Sequence, residues 1–129
     1  MRELKLIFEA EEEAIRREIA EANITVSFRI HYRTEIGESI SVCGSARSVG
    51  SWDQTKSVEM LWQPGDFWLG SVKIRRSKLP TFQYKYLIKR PGDRYEWETC
   101  SNHCILALPR KRDSELVLND YWNFPGYSP

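Results

Sequence analysis

The sequence predicts an all-β fold, an antiparallel β-sandwich of seven or eight short strands with an N-terminal α-helix. Three observations carry this. From Ile24 onward apolar and polar residues alternate with period two. Turn signals recur through the same region, among them Gly37, Pro64-Gly65-Asp66 and Pro91-Gly92-Asp93. Residues 2–22 instead lack Pro and Gly and set Leu4, Phe8, Ile15, Ile19 and Ala22 along one helical stripe.

The helix is the first element. Glu12 and Arg16, and Glu13 and Arg17, are spaced for i, i+4 ion pairs, and Asn23 suits a left-handed helix end. Such a segment packs on its own domain, or serves as a short arm for dimerisation or docking to a partner domain. In the first strand Ile24, Val26, Phe28 and Ile30 face one way and Thr25, Ser27, Arg29 and His31 the other. Further strands are predicted over 39–44, 58–62, 67–74, 82–88, 95–98, 105–108 and 116–122. Short strands at this spacing indicate a sandwich of the immunoglobulin-like kind. The predicted division is helix 1–22, sandwich 23–122 and a Pro- and Gly-rich tail or linker 123–129.

Composition narrows the function. A chain of 129 residues with 41% hydrophobic content suits one domain that buries a core without metal or disulfide. Lys and Arg total 19 against 18 Asp and Glu, so no overall basic surplus points to nucleic acid or an acidic membrane. No apolar run reaches the roughly 18 residues a membrane-crossing helix needs. The N-terminus has no apolar core of a signal peptide, and Cys43, Cys100 and Cys104 are odd in number. Both features suggest reduced thiols and a cytoplasmic location. Cys100, His103 and Cys104 form at most half a metal site, and their spacing matches no strong zinc pattern. His31 and His103 stand in no nucleophile–base pattern, and the sequence has no phosphate-binding glycine loop or zinc-protease motif. The residues therefore call for no catalytic role, no metal and no cofactor.

The five Trp are the positive signal. A pyranose has an apolar C–H face that an indole can cover, and a hydroxyl rim that needs donors and acceptors. Exposed Trp beside turn residues, with an amide and a charge nearby, supply that chemistry. Two segments offer the set: Val49-Gly50-Ser51-Trp52-Asp53 and Tyr95-Glu96-Trp97-Glu98-Thr99-Cys100-Ser101-Asn102. Lys85 lies between them in Tyr84-Lys85-Tyr86.

The ordered series Gly44-Ser45, Val49-Gly50-Ser51-Trp52, Phe67-Trp68, Tyr84-Lys85-Tyr86, Glu96-Trp97-Glu98 and Asn102 resembles the starch-binding domain of family 20 carbohydrate-binding modules. The likeness covers about residues 24–122. It implies non-catalytic binding of α-1,4-glucan in starch, glycogen or maltodextrin, with consecutive glucose units stacked on Trp52 and Trp97. By the same resemblance Lys85 and Asn102 hydrogen-bond sugar hydroxyls, Glu96 flanks the second Trp, and Trp68 belongs to the core. A second glucan site is implied less fully. Ile36 stands where the family commonly has a tyrosine, Tyr32 is a substitute for it, and Trp62 falls near the partner aromatic. The resemblance further implies tethering of an associated intracellular enzyme, such as a 4-α-glucanotransferase or a glycerophosphodiester phosphodiesterase. The alternative is a structural or protein-interaction sandwich that has lost glucan binding.

Overall fold

The computed structural model describes residues 2–125, with side chains from residue 7 onward, Ala20 excepted. The alternation starting at Ile24 forms β1 (Asn23–His31), whose Ile24, Val26, Phe28 and Ile30 are all buried. Eight more strands follow: β2 (Ser39–Gly44), β3 (Val58–Glu59), β4 (Leu61–Gln63), β5 (Phe67–Arg75), β6 (Gln83–Arg90), β7 (Arg94–Trp97), β8 (His103–Cys104) and β9 (Glu115–Tyr121). One sheet runs β4-β5-β1-β9 and the other β3-β2-β6-β7, with β8 also paired to β6. Their inner faces meet in one core around Phe28, Ile40, Val42, Trp68, Tyr84, Tyr86 and Leu118. This is the expected sandwich.

Four local expectations need correction. The 58–62 segment is two strands: Met60 is buried, its N–H donates to Ile40, and there the chain passes from one sheet to the other. β9 runs parallel to β1, so the sheets are not wholly antiparallel. The apolar run 105–108 pairs with no strand, and Leu106 and Leu108 are exposed; the strand here is β8, two residues earlier. Asn23 does not cap the helix but opens β1, because the Ala22 carbonyl is taken by the Arg76 N–H and the chain turns directly into the strand.

The helix α1 (Arg2–Glu21) forms as expected, with ion pairs Arg16–Glu12 and Arg17–Glu13. Its main approach to the sandwich is at the 3₁₀ segment Arg76–Thr81, and Phe8 and Ile15 of its apolar stripe remain exposed. The end of the chain is less free than a linker: the Asn123 side chain accepts from the Thr99 and Cys100 N–H groups. The remainder of the expected tail, 126–129, lies outside the described residues.

Candidate functional site

Strand register decides which side chains share the outer face of the second sheet. Cys43 pairs with Lys85, Ser41 with Leu87, and Leu87 with Trp97, whereas Val42 pairs with Tyr86 of the core. Side chains at paired positions project to the same face. Lys85 and Trp97 therefore stand on the outer face, over a floor of buried Ser41, Cys43 and Leu87.

Trp52 reaches this face from the loop after β2. Gly50, Ser51 and Trp52 have φ of 92°, 49° and 65°, three successive left-handed residues. For Ser and Trp that conformation is costly and persists only where surroundings enforce it. The enforcement is visible. The Trp52 N–H donates to Gly44 (2.9 Å), that of Ser51 to Ala46 (3.1 Å), and that of Asp53 to Gly50 (2.9 Å). A Cβ on Gly50 would lie 2.7 Å from the Lys56 carbonyl oxygen, and one on Gly44 2.5 Å from that of Gln83. Asp53 closes the loop by accepting from the backbone N–H and hydroxyl of Thr55, which hold its carboxyl below the ordinary value.

The two indoles meet there. The ring centroids of Trp52 and Trp97 are 6.3 Å apart and their planes differ by 38°. Trp52 is exposed and Trp97 half-buried, its Nε1 donating to Gln54 Oε1 (2.9 Å). The pair forms an angled aromatic shelf that a curved, repeating apolar face can follow. Polar groups border it. Lys85 Nζ donates to the Glu98 carbonyl (3.2 Å), and Asn102 Nδ2 to Gln83 Oε1 (2.9 Å). Gln54 and Gln83 were not legible as site residues, since Gln in a turn or strand carries no signal of its own.

Glu96 is the predicted member not brought to the shelf. It pairs with Ile88, so its side chain leaves from the opposite face to Trp97, and it forms an ion pair with Arg90 at 2.7 Å. Its neighbour Glu98 is buried instead. Glu98 Oε1 accepts from the Tyr86 N–H (2.6 Å) and Oε2 from that of Asn123 (2.8 Å), while His103 Nε2 lies 2.9 Å from both. His103 stacks on Tyr84, with its Nδ1 3.7 Å from Asp120 Oδ1. Asp120 Oδ2 accepts from the hydroxyls of Tyr84 (2.7 Å) and Tyr86 (2.6 Å). Burial pushes the Asp120 carboxyl up against these hydrogen bonds, and burial beside Asp120 raises both phenols strongly. The network joins β9 of one sheet to β6 of the other and fixes the strand end that carries Trp97.

Donor atoms of Glu98, Cys100 and His103 lie within 4.8 Å of one another, whereas Cys104 is exposed and outside the group. Both Glu98 oxygens already serve backbone N–H groups, so the cluster's chemistry is that of a structural hydrogen-bond centre. Cys100, His103 and Cys104 are thus not brought together as one ligand group.

Two members of the second group share Asp66 as a partner. Trp62 is exposed and its Nε1 donates to Asp66 Oδ1 (3.1 Å); the Tyr32 N–H donates to the Asp66 carbonyl (2.9 Å). The Tyr32 ring packs on Trp122 at 5.1 Å, and Ile36 is fully exposed in the β1–β2 connection. Ile36 precedes β2 and Trp52 follows it, so the two groups lie at opposite ends of that strand. Trp68 is buried and donates to the Tyr32 carbonyl.

The sandwich and the family match together put the chain in the class of carbohydrate-binding modules. The sequence profile described as "Starch binding domain" matches residues 23–116, and the chain belongs to that family, the family 20 modules. It is 28% identical over 102 residues to Glucoamylase-1 of Arthroderma benhamiae, covering 75% of this chain and 16% of that one. It is 30% identical over 78 residues to a cyclomaltodextrin glucanotransferase of Bacillus sp. (strain 17-1), covering 57% and 10%. The isolated family 20 module of a maltotetraose-forming amylase from Pseudomonas saccharophila superposes with a TM-score of 0.56 at 19% identity, covering 75% of this chain and all of that one. A glucoamylase of Hypocrea jecorina gives 0.65 at 21% identity, covering 80% and 18%. The chain thus spans a small part of the curated enzymes it matches. The family's domain is non-catalytic and occurs within larger amylolytic enzymes. Among the described residues no helix is long and apolar enough to cross a membrane.

Proposed function

We propose that this domain holds α-1,4-glucan on Trp52 and Trp97, with Lys85 and Asn102 hydrogen-bonding the sugar hydroxyls. The observation that carries this is the meeting of two indoles, 45 residues apart in sequence, at 6.3 Å and 38° on one sheet face. Consecutive glucose units of an α-1,4-linked chain present apolar faces on a curve, which an angled pair follows better than a flat one. Stacking contributes about 1–3 kcal/mol per ring by analogy with bases on aromatics. Two such contacts and a few hydrogen bonds give a Kd on the order of micromolar to tens of micromolar. Affinity of that scale suits a tether, because a polymer with many equivalent sites keeps an attached enzyme near its substrate. Three free thiols fit a reducing, intracellular setting, and a 4-α-glucanotransferase or glycerophosphodiester phosphodiesterase is the proposed kind of enzyme carried.

The test is tryptophan fluorescence titrated with β-cyclodextrin, a cyclic mimic of the curved glucan. Wild type saturates; Trp52→Ala and Trp97→Ala, both folded by circular dichroism, lose at least tenfold in affinity. Unchanged affinity in either variant overturns the reading. Trp62→Ala, run in parallel, reports on the second group: a loss confined to long glucans supports an auxiliary contact there.

A further inference from the structure

Next to the loop that carries Trp52 lies a cleft of about 870 Å³ whose charge is one-sided. Arg47, Lys73, Arg75 and Lys78 line it, with the hydroxyls of Ser48 and Thr81, and no Asp or Glu does. The chain as a whole carries a formal charge of only +1. Four cations gathered without one carboxylate are therefore a local departure from the mixed surface elsewhere. All four side chains are exposed, and none makes an ion pair with a carboxylate among the described residues. Arg76, next in sequence, is used differently: its guanidinium donates to the carbonyls of Pro109 and Arg110 and stays out of the cleft.

The fold builds this concavity from rigid parts. Lys73 and Arg75 are two apart on β5 and share its outward side. Arg47 and Lys78 sit on the 3₁₀ segments Arg47–Val49 and Arg76–Thr81, and buried Ile74 and Phe82 form part of the wall. Two joints connect cleft and shelf. Ser51 lines the cleft while Trp52, next in the same constrained turn, lines the shelf. Ser45, also in the cleft, accepts from the Gln83 N–H, and the Gln83 side chain holds Asn102. The turn that carries Trp52 and the strand start that holds Asn102 thus border the cationic cleft.

Resting on the glucan reading above, we propose that this cleft takes a phosphate monoester carried by the bound glucan, so that the domain prefers phosphorylated α-glucan. Guanidinium and ammonium groups with hydroxyl donors are the side chains that match a phosphate's charge and acceptor oxygens. Overall charge balance disfavours an extended phosphate backbone, while a single ester needs only a local cluster.

The experiment compares a phosphorylated maltodextrin with the same preparation after phosphatase treatment, by titration calorimetry at low ionic strength. The phosphorylated form binds roughly tenfold more tightly, and the advantage shrinks in about 0.5 M salt. The double variant Arg47→Gln/Lys78→Gln loses that advantage and keeps wild-type affinity for β-cyclodextrin. Millimolar inorganic phosphate erodes the same advantage, leaving the dephosphorylated glucan unaffected. Equal binding of the two maltodextrins, with β-cyclodextrin still bound, overturns this inference alone. Failure of wild type to bind β-cyclodextrin overturns the glucan reading and this one with it. A single-stranded oligonucleotide bound as tightly as the phosphorylated glucan, and equally by Trp52→Ala, identifies a general polyanion surface and also overturns it.

Discussion

Trp52 sits in a left-handed backbone that a tryptophan adopts only under constraint, and the constraint comes from its neighbours. Gly50 allows the turn because any Cβ there meets the Lys56 carbonyl. Gly50→Ala is expected to lower stability by about 1–3 kcal/mol in urea unfolding and to weaken glucan binding beyond that of other loop variants. Gln54 restrains the second indole through Trp97 Nε1. Gln54→Ala should leave melting nearly unchanged yet reduce affinity by roughly fivefold, the loss of about 1 kcal/mol of orientation. Trp52, Trp97, Lys85 and Asn102 were legible because they fall in an ordered series beside turn residues. Gln54 was not, and Glu96 was read onto the shelf because sequence proximity to Trp97 does not reveal strand parity. Its register with Ile88 turns it to the other face.

At the scale of elements, β6 carries both halves of the design. Its odd-numbered residues Lys85 and Leu87 face the shelf or its floor, and its even-numbered Tyr84 and Tyr86 enter the core and donate to Asp120 of β9. Both phenols are raised well above the ordinary tyrosine value, mainly by burial. The sign of the linkage follows. A folded-state value above the unfolded one favours folding fully below about pH 10 and loses that contribution as pH rises further. Absorbance of tyrosinate near 295 nm should therefore resolve two of the six tyrosines that ionise only as the protein unfolds. Two buried tyrosines titrating with the rest in folded protein would contradict the network. Alternation made β1, β2, β5 and β6 readable, because each directs most of its apolar residues to the core face, although β2 is buried on both. The split at Met60 was not readable: a chain that changes sheets keeps its apolar pattern through the crossing. The run 105–108 misled for the converse reason, being apolar but without a strand to pair with. Glu98, His103 and Asp120 gave no warning either, since charged side chains are rarely buried unless folding supplies partners.

For the whole molecule, the sandwich and the helix are nearly separate. The two sheets share one core, and α1 approaches it chiefly at the 3₁₀ segment Arg76–Thr81, leaving Ile7, Phe8 and Ile15 exposed. Removal of residues 1–21 should shift Tm by only a few degrees and leave β-cyclodextrin affinity within twofold, by scanning calorimetry and fluorescence. A large loss of either would show that the helix supports the shelf. The central claim is that the indoles of Trp52 and Trp97, and not the other three, receive the glucan. Nitrogen-labelled indole N–H signals, assigned by single substitutions, followed while maltoheptaose is added, test it most directly. The account predicts that Trp52 and Trp97 shift together along one binding curve while buried Trp68 stays fixed. Movement of Trp62 alone, or of none of the five, would contradict it.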